Sequence, residues 1–123
     1  MKFAMGLAVA SLLLCAPARA QEVQYGNALI CDTASQVAQF VEHLHGDVQS
    51  AISEVNAEEH DPTACVVAPV AYVPVDKIAT ARNKDGAFEI VRILVLAIET
   101  KDGVQAVSPA AFFSISKVEE ADA

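Results

Sequence analysis

The stretch from Cys31 to Asp47, CDTASQVAQFVEHLHGD, decides how the rest of the chain is read. Thr33-Ala34-Ser35-Gln36 has capping-box spacing: the Thr33 hydroxyl can accept from the Gln36 N–H while the Gln36 side chain reaches back to the N–H of Thr33. A helix is therefore expected from Ala34. Val37, Phe40, Val41 and Leu44 follow at i, i+3, i+4 and i+7, one apolar stripe along that helix. Gly46 is placed to end it, since a left-handed residue commonly closes a helix. Asp47 then caps a second helix, in which Val48, Ala51, Ile52 and Val55 repeat the spacing through about Asn56. Two short amphipathic helices joined near Gly46 form a corner whose stripes must be buried on another layer.

That layer is expected downstream. Pro62 disfavours helix at Asp61, so the acidic run AEEHDP (Ala57–Pro62) ends the helical pattern. ACVVAPVAYVPV (Ala64–Val75) is valine-rich with two prolines, and reads as an edge strand or one broken by a bulge near Pro69. NKDG (Asn83–Gly86) and TKDG (Thr100–Gly103) are turns that bracket AFEIVRILVLAIE (Ala87–Glu99), a run apolar on both faces, as a central strand covered on each side should be. The final run, VQAVSPAAFFSISKV (Val104–Val118), carries Pro109 as an interruption. Short turns favour antiparallel neighbours, and NALIC (Asn27–Cys31) is a candidate fourth strand. The expected fold is α+β: two short helices packed on a three- to four-stranded antiparallel sheet in the order β-α-α-β-β-β. A strongly bent sheet approaching a small SH3-like barrel, with the helices inserted ahead of it, is the alternative.

The chain opens MKFAMGLAVASLLLCAPARA: a lysine, an apolar run, then an A-x-A tail, the pattern of a cleaved signal peptide spanning residues 1–20. The apolar run falls short of the roughly 20 residues a membrane span needs. A lipoprotein anchored through Cys15 is the alternative, opposed by Leu14 where a small residue is wanted. Residues 21–123 then form a single small domain, periplasmic or secreted, without membrane insertion. Two cysteines remain, Cys31 and Cys65, and an even pair in an oxidising compartment reads as a disulfide.

The same segment keeps six of the eight basic residues and all 16 acids, hence a formal charge of −10. So negative a surface repels nucleic acid and anionic lipid, and the expected partner is a cationic or neutral protein. A basic cluster, Lys77, Arg82 and Lys84, reads as a solvated loop that protects a strand edge, with docking of an acidic partner as the sharper alternative.

Chemistry-bearing motifs are sparse. The sequence holds no G-x-S-x-G, H-E-x-x-H, glycine-rich phosphate loop or C-x-x-C. His43, His45 and Asp47, with His60 as a fourth donor, are the candidate metal ligands. Against them, about 100° of rotation per residue sets His43 and His45 about 160° apart, on opposite flanks of the stripe. Glu58 and Glu59 could serve a hydrolase only if they line a cleft with raised pKa values. The reading adopted is a non-enzymatic binding or interaction module without a cofactor; the alternative is a periplasmic metal-binding protein.

ICDTASQVAQFV, VNAEEHDPTAC, ATARNKDGAFEIVRILVLAI and GVQAVSPAAFFS together resemble small exported proteins of unknown function from rhizobia and related bacteria. The resemblance covers nearly all of the segment after residue 20. It implies export and a single domain, and it carries no site residues.

Overall fold

Alternation within Ala87–Glu99 sets the architecture. Phe88 and Ile90 point to one side of the strand and Ile93 and Val95 to the other, and all four are buried. A strand buried on both faces needs a layer on each. The computed structural model, which describes residues 22–117, supplies both. Its elements are β1 (Gln24–Cys31), α1 (Ala34–His43), α2 (Val48–Glu59), β2 (Cys65–Asn83), β3 (Gly86–Thr100) and β4 (Gly103–Lys117). The expected signal peptide at 1–20, with Cys15, lies outside the described residues.

All strand pairs are antiparallel. β1 pairs with β2 from Gln24↔Tyr72 to Cys31↔Cys65, β2 with β3, and β3 with β4. The sheet curls until β1 touches β4 at Cys31↔Phe113, which closes it into a barrel. The expected α+β order is thus observed, and the strong bend of the alternative reading is part of the same fold. Both hairpins are two-residue loops, Lys84-Asp85 and Lys101-Asp102. In each, the residue before the loop accepts from the second loop N–H: Asn83 Oδ1 from Asp85 at 2.7 Å and Thr100 Oγ1 from Asp102 at 3.1 Å.

The prolines sit where the ladder does not need their N–H. Pro69 lies opposite Asn27, just outside the β2–β3 ladder that begins at Val70↔Ile98. Pro74 lies past Tyr72, where β1 has ended, and next to a register shift. Pro109 falls between the paired residues Ala106 and Ala110, opposite the shift at Val95/Ala97. β2 therefore does not stop near Val75; it bends at three shifts and runs on to Asn83.

Helix α1 has the capping box expected of it, with Gln36 N–H donating to Thr33 Oγ1 and Thr33 N–H to Gln36 Oε1, both at 3.1 Å. It ends at His43, sooner than Gly46 implies, because Asn83 Nδ2 donates to the carbonyls of Val41 and Leu44 and stops the last turn from outside. Gly46 (φ 95°) lies instead in the linker. Helix α2 starts on Asp47 as read but continues to Glu59, where His60 takes the left-handed conformation (φ 57°) and the Asp61 N–H reaches back to the Asn56 carbonyl.

Two apolar clusters result. The helices bury Val37, Phe40, Val41, Ile52 and Val55 against Leu29, Phe88 and Ile90 on the outer face of the sheet. Inside the curl, Ala28, Ile30, Val70, Ile93 and Val95 meet one another. Cys31 and Cys65 form a disulfide between directly opposed residues, Cα–Cα 4.1 Å, fully buried beside the helical cluster. It staples the helical excursion at its base; in the chain-entropy model such a loop contributes about 3–4 kcal/mol.

Candidate functional site

The polar residues of the helix pair are spent on the helix pair. Asp47 accepts from the Gln49 N–H at 3.1 Å and from Ser50 Oγ at 2.8 Å, and the Ser50 hydroxyl leads in holding its carboxyl below the ordinary range. Glu59 accepts from Gln36 Nε2 and Gln39 Nε2, each at 3.1 Å, which binds the C-terminal end of α2 to the first turns of α1. Those two amides, Gln36 first, lower its pKa. His43 lies between two carboxylates of α2: Nδ1 is 2.8 Å from Glu54 Oε1 and Nε2 is 2.9 Å from Glu58 Oε2. Ionised carboxylates only accept, so each bond forms where the ring nitrogen facing it carries a proton.

The structure places the candidate metal ligands apart. His43 faces α2, His45 is exposed in the linker, Asp47 caps the start of α2 and His60 ends it. Asp47 and His60 flank a helix of 12 residues at opposite ends, about 20 Å apart at 1.5 Å per residue, too far to share an ion. Among the described residues, no group of three or more His, Cys, Asp or Glu is arranged to hold a metal ion. Glu59 is pushed down, the opposite of what a general acid requires, and Glu58 is half-exposed and bonded to His43.

A second region comes from the curl of the sheet. Cys31↔Phe113 is the one ladder pair between β1 and β4 among the described residues, so the rest of that seam is closed without paired backbone. Side chains of the inner face converge there, and Gln24, Tyr72, Pro74, Glu89, Val91, Ile93, Ser114 and Ser116 are among those lining a cleft of about 300 Å³. Val91 and Ile93 give it an apolar floor, and Ser114 is buried at 6% exposure. The cleft continues outward over Glu22, Val75, Asp76 and Lys77. On that rim Lys77 Nζ lies 3.5 Å from Glu89, and Arg92 holds Asp76 through two nitrogens at 3.1 and 2.9 Å.

The basic cluster is thereby divided. Lys77 sits on the cleft rim against Glu89, while Arg82 and Lys84 are exposed at the far end of the β2–β3 hairpin. All three histidines belong to the helical unit, so Ser114 and Ser116 have no imidazole beside them to act as a base. The cleft can offer hydroxyls, an amide, carboxylates and an apolar floor, which is binding chemistry.

None of the residues that line this cleft is singled out by sequence motif except Lys77. The available signal was the alternation in FFSISK, which sets Ser114 and Ser116 opposite the apolar face of Phe113 and Ile115. Knowing which strands surround that polar face requires the curl. Comparison with family models, with curated proteins and with solved structures finds no match.

Proposed function

We propose that this chain is an exported, non-enzymatic binding module, acting in the periplasm or after secretion, that recognises a cationic protein partner at the seam between β1 and β4. The observation that carries this reading is the cleft of about 300 Å³ at that seam, with its apolar floor and its rim carrying Glu22 beside the Asp76–Arg92 and Glu89–Lys77 pairs. The formal charge of −8 over the whole sequence favours cationic partners by long-range attraction. The disulfide and the signal-like leader support export into an oxidising compartment.

Capture from periplasmic extract on immobilised protein, at low and at high salt, tests it. A partner retained at low salt and shed at high salt is expected, because exposed charges are screened within about 8 Å at physiological ionic strength. Recovery of no partner at either salt overturns the reading.

A further inference from the structure

We infer that the seam takes an extended, lysine- or arginine-rich polypeptide segment as an added strand along the outer edge of β1. This rests on the binding-module reading and names the partner's form.

The backbone of β1 supplies the first argument. Opposed residues of an antiparallel pair alternate between bonding to each other and bonding outward, and the outward pairs are the closer ones, about 4.5 Å between Cα atoms. Cys31 and Cys65, 4.1 Å apart, are such a pair. The neighbouring Asp32 N–H donates to the Ala64 carbonyl, as the alternation requires. Counting back by twos, the N–H and C=O groups of Leu29, Asn27 and Tyr25 also point away from β2, toward the seam. There the ladder pairs β4 with Cys31 alone among the described residues of β1.

The unpaired edges of β2 and β1 are treated differently. The free edge of β2 past Tyr72 carries Pro74, Lys77 and register shifts at Pro74/Asp76 and Lys77/Ala79, the usual devices against an added strand. β1 runs from Gln24 to Cys31 with no proline, no lysine and no shift in register. An unblunted edge beside a formed cleft is the geometry of strand addition, in which main-chain bonds hold a peptide and alternate side chains enter the cleft. Asp76 and Glu89 are already paired with Arg92 and Lys77, so the acidic charge of the whole chain, with Glu22 on the rim, selects basic side chains. It also disfavours a second copy of this acidic chain.

Hydrogen exchange on the exported protein, read residue by residue, tests this with an octapeptide of alternating valine and lysine. Controls are the same peptide N-methylated on alternate residues, in both registers, and a valine–glutamate octapeptide. The expected result is binding of the valine–lysine peptide with slowed exchange at Tyr25, Asn27 and Leu29, weakened about tenfold or more by N-methylation in one register. No binding of the glutamate peptide is expected. Asn27→Pro removes one outward N–H and no bond to β2, and should abolish binding with the unfolding midpoint retained; if the variant misfolds, the N-methylated peptides decide on the unaltered protein.

Equal binding of all N-methylated peptides, or protection elsewhere, overturns strand addition and leaves the cationic-partner reading standing. Failure of the valine–lysine peptide to bind while low-salt capture retains a partner does the same. Protection of Tyr25, Asn27 and Leu29 before any peptide is added overturns it too, since the edge is then occupied by the chain itself or by a second copy.

Discussion

Asn83 donates through Nδ2 to the carbonyl of Val41 at 2.8 Å, across 42 positions of sequence. The same nitrogen reaches the Leu44 carbonyl at 3.2 Å, while Asn83 Oδ1 accepts from Asp85 in the hairpin turn. One side chain thus ends α1, shapes the β2–β3 turn and holds the two together. Asn83→Ala leaves the last carbonyls of α1 without their donor. A loss of about 1–3 kcal/mol is expected in denaturant unfolding, with fast amide exchange spreading into the last turn of α1. An effect within error would show that water replaces the side chain.

The disulfide joins residues that are already paired in the sheet, and the loop it closes contains both helices. Cys31→Ala/Cys65→Ala should lower stability by about 3–4 kcal/mol in the chain-entropy model. Both sulfurs are fully buried beside Val37 and Phe40, so a reductant should act slowly on the native protein and quickly once it unfolds. Comparison of thiol release in buffer and in denaturant measures this.

Glu59 predicts an acid limb. Its folded pKa lies below the unfolded one because Gln36 and then Gln39 donate to the carboxylate, so the native state binds fewer protons. The resulting stability is fully present above the ordinary carboxylate range and is lost as pH falls through the lowered folded value. Glu59→Gln should flatten the fall of the thermal midpoint below about pH 5. The part that survives belongs to other lowered carboxyls such as Asp47. An unchanged slope would remove Glu59 from the account.

His43 between Glu54 and Glu58 predicts a salt effect. The two glutamates are one helical turn apart and about half exposed, so the pairs are screened and their worth is about 0.5–1 kcal/mol. His43→Ala also leaves the two like charges facing each other. The variant should be less stable than the parent at low ionic strength, and the gap should shrink as salt is added. A gap independent of salt would mark a packing loss instead.

Ile93 carries the inner cluster. It is fully buried at the centre of β3, beside Val70 and Val95, and Ile93→Ala should cost about 2–5 kcal/mol. The same change lines the cleft with a smaller residue. Chemical shifts of Ser114 should therefore move with it, read by NMR at a temperature where the variant is folded.

What the sequence determined by itself was local or repetitive. The capping box at Thr33–Gln36 and the N-cap at Asp47 are bonds between residues two or three apart, and the apolar stripe of α1 and the two-faced run of β3 are periodic, so each is written in adjacent letters. The cysteine pair was legible because two of the three cysteines lie beyond the signal-like residues 1–20, which leaves one intramolecular pairing there. Tertiary structure decided the rest. Asn83 reached back to end α1 before Gly46, Glu54 and Glu58 took His43, and Gln36 and Gln39 took Glu59, all through partners at least 11 residues away. The curl that opens the cleft between β1 and β4 is likewise set by shifts of register between strands. Register is a relation between segments, and no single segment carries it.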